Sequence, residues 1–282
     1  MEVNQKGSAK GHKIVLALYK IFGYRFVAFI LNFVAFYYMI FSPATKKSLQ
    51  SYYDHLGIKL TNYVFFQHIK FFAFSIFDRF ISRVKPDELT LVKDNRSIFE
   101  AIYESGGVVL FSHFGSWAVA SHSLSDNESK VHVVMRESTK KEISEVENSI
   151  TRTNEGGVNI IDLNKGAIAA NIQIANAIMN KEIVAMMVDR VTNESKTIKV
   201  NFLNDNVNIN KNPFDVAKRL NTPVIAIFVI NIGIAKYNLK FEQVEVEDKT
   251  VQEIAQNYMD ILEVMVKKNP KQWYNFYDFF KQ

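Results

Sequence analysis

The stretch Gly106-Gly107-Val108-Val109-Leu110-Phe111-Ser112-His113-Phe114-Gly115-Ser116-Trp117 reads as a strand that runs into a tight turn and then a helix. A continuous apolar run behind two glycines is the pattern of a strand covered on both faces, as in a parallel sheet. The expected strand covers 108–112 and the expected helix 117–124. The same beat continues downstream. Residues 131–135, 158–163 and 183–188 read as strands, with helices over 139–153 and 166–179 between them. Residues 197–209 alternate as a hairpin, Pro213 opens a helix at its first turn, and 223–230 form another buried strand. Residues 236–247 alternate like an edge strand, and 250–268 form a last long helix. Strands alternating with helices predict an α/β fold, with a central, mostly parallel mixed sheet flanked by helices.

Upstream of this body the sequence changes character. Residues 1–85 carry nine Lys and three Arg against Glu2, Asp54 and Asp78, a balance of +9, so the net charge of +5 leaves −4 for the rest. The run from Phe26 to Phe41 has no charge and is flanked by Lys13, Lys20 and Arg25 on one side and Lys46 and Lys47 on the other. At 16 residues it falls short of the roughly 20 that cross a bilayer. Basic flanks around aromatic residues suit a helix in the head-group layer of a membrane. A second aromatic segment, from Tyr63 to Phe80, repeats Phe at spacings of three and four and reads as a helix with a broad apolar face. The chain therefore divides into a basic, aromatic, membrane-associating helical region over 1–85 and an α/β body over 86–282. A phospholipid surface is the expected anionic partner; Phe clusters at helical spacing do not build a base-stacking sheet, so nucleic acid is not expected.

Composition removes several chemistries. With no Cys, the chain has no disulfide, no thiolate metal site and no cysteine nucleophile. It also lacks a phosphate-binding glycine loop, a nucleophile-elbow serine and a paired-histidine zinc spacing, and no cofactor is called for.

In open α/β sheets, ligands and chemistry gather beyond the carboxyl ends of the strands. His113 follows the first strand, Arg136 the second, and Asp189-Arg190 the fourth. A histidine beside Gly115 at a strand-to-helix turn combines a side chain that titrates near neutral pH with the N–H groups of a helix start. The remaining histidines are scattered. Of these, His122 shares the helix of Trp117.

Read together, these pieces resemble the lysophospholipid acyltransferase superfamily, in particular its lipid A biosynthesis (lauroyl and myristoyl) branch. The resemblance lies in Phe111-Ser112-His113-Phe114-Gly115-Ser116-Trp117, Val134-Met135-Arg136, Met187-Val188-Asp189-Arg190, Val200-Asn201-Phe202-Leu203 with Asn212-Pro213-Phe214, and the ending Gln272-Trp273-Tyr274-Asn275-Phe276-Tyr277-Asp278-Phe279-Phe280. It implies transfer of a fatty acyl group from acyl carrier protein or acyl-CoA to a hydroxyl of a lipid or glycolipid, at the cytoplasmic face of the inner membrane. In this scheme His113 is the general base. Arg136 and Arg190 bind phosphate, and Gly115, Ser116 and Trp117 line the substrate side of the turn.

One position departs from the family pattern. The acid that should follow His113 after four intervening residues is Ala118. Such an acid orients the imidazole and stabilises its cation. Asp189 is the first candidate to replace it from a neighbouring strand end; Asp126 and Glu128 are weaker candidates. The alternative is a lipid-binding or assembly protein that kept this fold and lost turnover. Trp273, Phe276, Phe279 and Phe280 are also expected to dock onto the sheet as core.

Overall fold

The computed structural model describes residues 9–124, 131–135, 158–191 and 196–281. The helix expected over 139–153 lies outside them. Three helices open the chain: α1 (Ala9–Phe41), α2 (Pro43–His55) and α3 (Asn62–Val84). The α/β body follows with β1 (Thr90–Asp94), α4 (Arg96–Ser105), β2 (Gly107–Phe111), α5 (Trp117–Leu124), β3 (Val131–Met135) and β4 (Val158–Asp162). Then come α6 (Ala167–Met179), β5 (Ile183–Met187), β6 (Thr197–Phe202), β7 (Asp205–Asn210), α7 (Asn212–Leu220), β8 (Val224–Gly233), β9 (Lys236–Val244) and α8 (Val251–Lys268).

Seven strands form one sheet in the order β1-β9-β8-β2-β5-β3-β4. The five from β8 to β4 are mutually parallel, while β9 is antiparallel to β8 and parallel to β1. One sequence expectation changes here. Residues 236–244 do not form the edge, because β1 pairs along the outer side of β9. That strand, Thr-Leu-Val-Lys-Asp, is short and half exposed, so it lacks the apolar signal of its buried neighbours. Its helix α4 buries Phe99 and Ile102, a three-residue spacing within one amphipathic stripe.

Strand pleating sorts the core into two layers. Val108 and Leu110 face one layer with Val184, Met186, Ala226 and Phe228, covered by α6, α7 and α8. Val109 and Phe111 face the other with Ala185, Ile225, Ile227 and Tyr237, covered by α1, α3, α4 and α5. The expected hairpin is present as β6 and β7, a separate two-stranded sheet over α8. Leu203 and Asn204 both take positive φ (53° and 64°), the requirement of a two-residue hairpin turn of the primed type. Thr250 and Glu253 form a capping box that starts α8.

The N-terminal helix is broken at Gly23, whose φ of 77° and ψ of 179° belong to neither half. Only glycine enters that region without steric cost. Beyond the break, Tyr24, Val27, Ala28, Leu31 and Ala35 pack inward, while Phe26, Phe29, Phe33, Phe36, Tyr37, Ile40 and Phe41 stay exposed. From Phe26 to Phe41 the helix carries no charge, with one face on the protein and the other exposed. By length and composition the stretch Ile14–Phe41 could cross a membrane.

Helix α3 joins the two parts. Phe65 and Ile69 belong to the layer beneath α2, whereas Phe74, Phe77 and Ile81 belong to the layer beneath α1. Asp78 is fully buried on this helix and accepts hydrogen bonds from the hydroxyls of Tyr24 (2.8 Å) and Tyr237. One carboxyl thus ties α1, α3 and β9 together.

Candidate active site

Strand register brings the candidate residues together. β2 and β5 are parallel neighbours with Phe111 opposite Met187, so the next two steps set His113 beside Asp189. The contact is direct: His113 Nδ1 lies 2.9 Å from Asp189 Oδ1, and the His113 backbone N–H donates to Asp189 Oδ2 at 2.9 Å. An ionised carboxylate can only accept, so Nδ1 carries a proton, and in the neutral imidazole Nε2 is then the nitrogen with the free lone pair.

The acid is fully buried and the histidine side chain is 23% exposed, so the pair opens to solvent only on the imidazole side. Two further donors reach Asp189 from the C-terminal segment. Trp273 Nε1–H donates to Oδ2 at 2.9 Å and Asn275 Nδ2–H to the same oxygen at 3.1 Å. The Tyr277 hydroxyl donates to the Asp189 backbone carbonyl at 2.7 Å. Burial pushes the Asp189 carboxyl upward, but the charge and hydrogen bonds of His113 and the Trp273 indole outweigh it and hold the group below the ordinary aspartate range. The site therefore keeps a buried anion against Nδ1.

The turn that carries His113 is stitched on both sides. Gly115 N–H donates to the Gln272 carbonyl at 2.7 Å, and Tyr274 N–H donates to the His113 carbonyl at 2.8 Å. On the sheet side, Ser116 N–H donates to the Val229 carbonyl at 2.8 Å. Gly115 has φ 65°, and a Cβ there would lie 2.0 Å from the Val229 carbonyl oxygen, so no other residue fits. Phe114 is buried edge-on against Phe228.

The sequence-predicted residues fall into three groups. His113 and Asp189 are in contact. Gly115 and Ser116 sit beside them with their N–H groups already spent inside the protein, and Ser116 is buried. Trp117 is partly exposed at the start of α5, with its ring 4.8 Å from that of Phe111. Arg190 is exposed immediately after Asp189. Arg136, Asp126 and Glu128 lie outside the described residues.

Trp273 and Asn275 were not expected at the site. Trp273 is buried among Tyr52, Phe202 and Phe279, which is the expected core packing, and its indole nitrogen also reaches the acid. Two other histidines have a role in packing. Buried His68 bonds the Tyr53 hydroxyl at 2.9 Å, and burial lowers it to about 3. His132 pairs with Glu182 at 2.6 Å at the amino ends of β3 and β5, opposite the site.

Residues 66–282 match the model of the bacterial lipid A biosynthesis acyltransferase family. A comparison with curated proteins finds no match. The family match contains the turn at His113, the acid at Asp189 and the C-terminal segment that joins them, so the histidine–aspartate pair lies within the acyltransferase portion. The chain belongs to the bacterial lipid A biosynthesis acyltransferase family.

Proposed function

We propose that this protein transfers a fatty acyl group from an acyl-carrier thioester to a hydroxyl of a lipid A-type glycolipid or related lipid, with His113 as general base. The observation that carries this reading is the 2.9 Å contact between His113 Nδ1 and a fully buried Asp189. Nε2 accepts the proton of the acceptor hydroxyl as its oxygen attacks the thioester carbonyl carbon. The tetrahedral intermediate then expels the thiolate, which takes that proton from Nε2. Asp189 orients the ring throughout and stabilises the imidazolium formed between the two transfers.

With no Cys in the chain, no acyl-cysteine forms, and transfer is direct from donor to acceptor. The N–H groups of Gly115 and Ser116 are internally bonded and so do not serve as oxyanion donors. Those two residues shape the turn, while Arg190 and Arg136 meet phosphate on the donor or acceptor. Residues 1–85 form the membrane-associating region. In this reading the exposed aromatic face of α1 lies in the inner-membrane head-group layer on the cytoplasmic side, with α3 linking it to the body over 86–282.

Mass spectrometry of lipids from a deletion strain tests this reading. The expected result is loss of one lipid species and accumulation of its counterpart lacking one acyl chain; an unchanged set of lipids overturns it. Ala118 favours a second reading, a lipid-binding protein without turnover. That reading predicts copurified lipid, an unchanged set of acyl chains in the deletion strain, and equal phenotypes for wild type and His113→Ala.

A further inference from the structure

In the family pattern the acid that orients the histidine lies on the same turn, and in this chain that position is Ala118, a buried residue without a carboxylate. The substitute comes from another strand, β5, so its aim at His113 is not set by the local backbone of the turn. It has to be set by something else. Asp189 Oδ2 takes three donors, from His113 N, Trp273 Nε1 and Asn275 Nδ2, which leaves Oδ1 to His113 Nδ1. With Tyr277 on its backbone carbonyl, the residue is held at both ends. A carboxylate fixed through both oxygens cannot swing about its own side chain.

The same segment also grips the histidine. Phe114 and Trp273 form an antiparallel bridge, flanked by the Tyr274-to-His113 and Gly115-to-Gln272 backbone hydrogen bonds. The side chain of Gln272 completes the hold by exchanging two hydrogen bonds of 2.9 Å with the backbone of Asn231 at the end of β8. One short segment therefore contacts the base, the acid and the neighbouring strand.

We propose that the C-terminal segment from Gln272 to Tyr277 is the positioning element of the His113–Asp189 pair, with Trp273 and Asn275 aiming the Asp189 carboxylate in place of an acid at position 118. These two are positioning residues, since they act through Asp189. The inference rests on the reading of His113 as base, and its test separates the two.

The full chain, labelled with ¹⁵N-histidine, is reconstituted in vesicles of phosphatidylethanolamine and phosphatidylglycerol. The His113 Nδ1–H proton resonance is identified by its loss in His113→Gln. In wild type it is expected far downfield, as a proton shared with a buried carboxylate. In Asn275→Leu and in Trp273→Phe it is expected to broaden into exchange with solvent. With lauroyl-acyl carrier protein as donor and a lipid A precursor as acceptor, kcat is expected to fall about tenfold to hundredfold, the cost of a misplaced catalytic group, with KM within about twofold. Trp273 also carries core packing, so if Trp273→Phe fails to fold, Asn275→Leu decides. An unchanged resonance in folded Asn275→Leu overturns the positioning role. Full activity in His113→Gln overturns the base reading instead, and the resonance still reports whether Asp189 is held.

Discussion

Asp78 and Asp189 are both fully buried aspartates, yet their surroundings shift them in opposite directions. At the junction of α1, α3 and β9, Asp78 meets two neutral phenols, those of Tyr24 and Tyr237, and burial pushes it up to about 6 in spite of them. At the carboxyl end of the sheet, Asp189 meets an imidazole, a backbone N–H, an indole and an amide, and it is held below the ordinary value. Equal burial thus accompanies a carboxyl that is harder to ionise in one place and one that is easier to ionise in the other. What separates them is the number of donors and whether one partner can carry positive charge.

The largest effect that sharpens this contrast is expected for Asp189→Asn, which keeps the shape and removes the anion. By analogy with the loss of an orienting acid in other triads, kcat for acyl transfer should fall by about 10³ to 10⁴. A loss under tenfold would place Asp189 with the structural aspartates.

The exposed face of α1 offers the next. Replacing Phe29, Phe33 and Phe36 together with Ser should reduce partition onto anionic vesicles by at least about tenfold in a flotation assay, since each buried Phe contributes about 1.5 to 3 kcal/mol. Helical circular dichroism should be unchanged, because these three side chains point away from the core.

Asp78→Asn is expected to act on stability alone. A carboxyl whose folded value is raised contributes stability that is complete below the unfolded value near 3.8 and is lost as pH rises through about 6. From this group the wild type gains about 1 kcal/mol on going from pH 7 to pH 5, and the variant should lose that slope in urea titrations at the two pH values. Asp189 has the opposite sign, giving stability above its unfolded value that is lost as pH falls below it.

The smallest effect belongs to His132→Gln. Its partner Glu182 is close, at 2.6 Å, but the pair sits at the amino end of the sheet, and both side chains keep partial access to solvent. Activity should stay within about twofold and stability within about 1 kcal/mol. A larger loss of activity would show that a histidine–carboxylate contact matters here wherever it lies.

Much of this contrast can be read in the residues. The buried runs 108–112 and 183–188 announce parallel strands, and equal offsets beyond them place His113 near Asp189. Other parts have no such signal. β1 is too short and polar to stand out, and its place beside β9 depends on a pairing across more than 140 residues. Trp273 reads as core because it is core; its indole N–H role depends on where the C-terminal segment returns. Asn275 was the available clue, a polar residue inside an aromatic run. Asp78 offers the same clue, as the sole carboxylate of an aromatic helix.

The central claim is that His113, aimed by Asp189, removes the acceptor proton. Transfer of labelled laurate from acyl carrier protein to a lipid A precursor, measured for purified wild type and His113→Ala in vesicles, tests it directly. The account predicts turnover by the wild type and a fall of about 10² to 10⁴ in the variant, the contribution of a general base. Equal rates in the two proteins, or no transfer by the wild type to any lipid of a membrane extract, would contradict it.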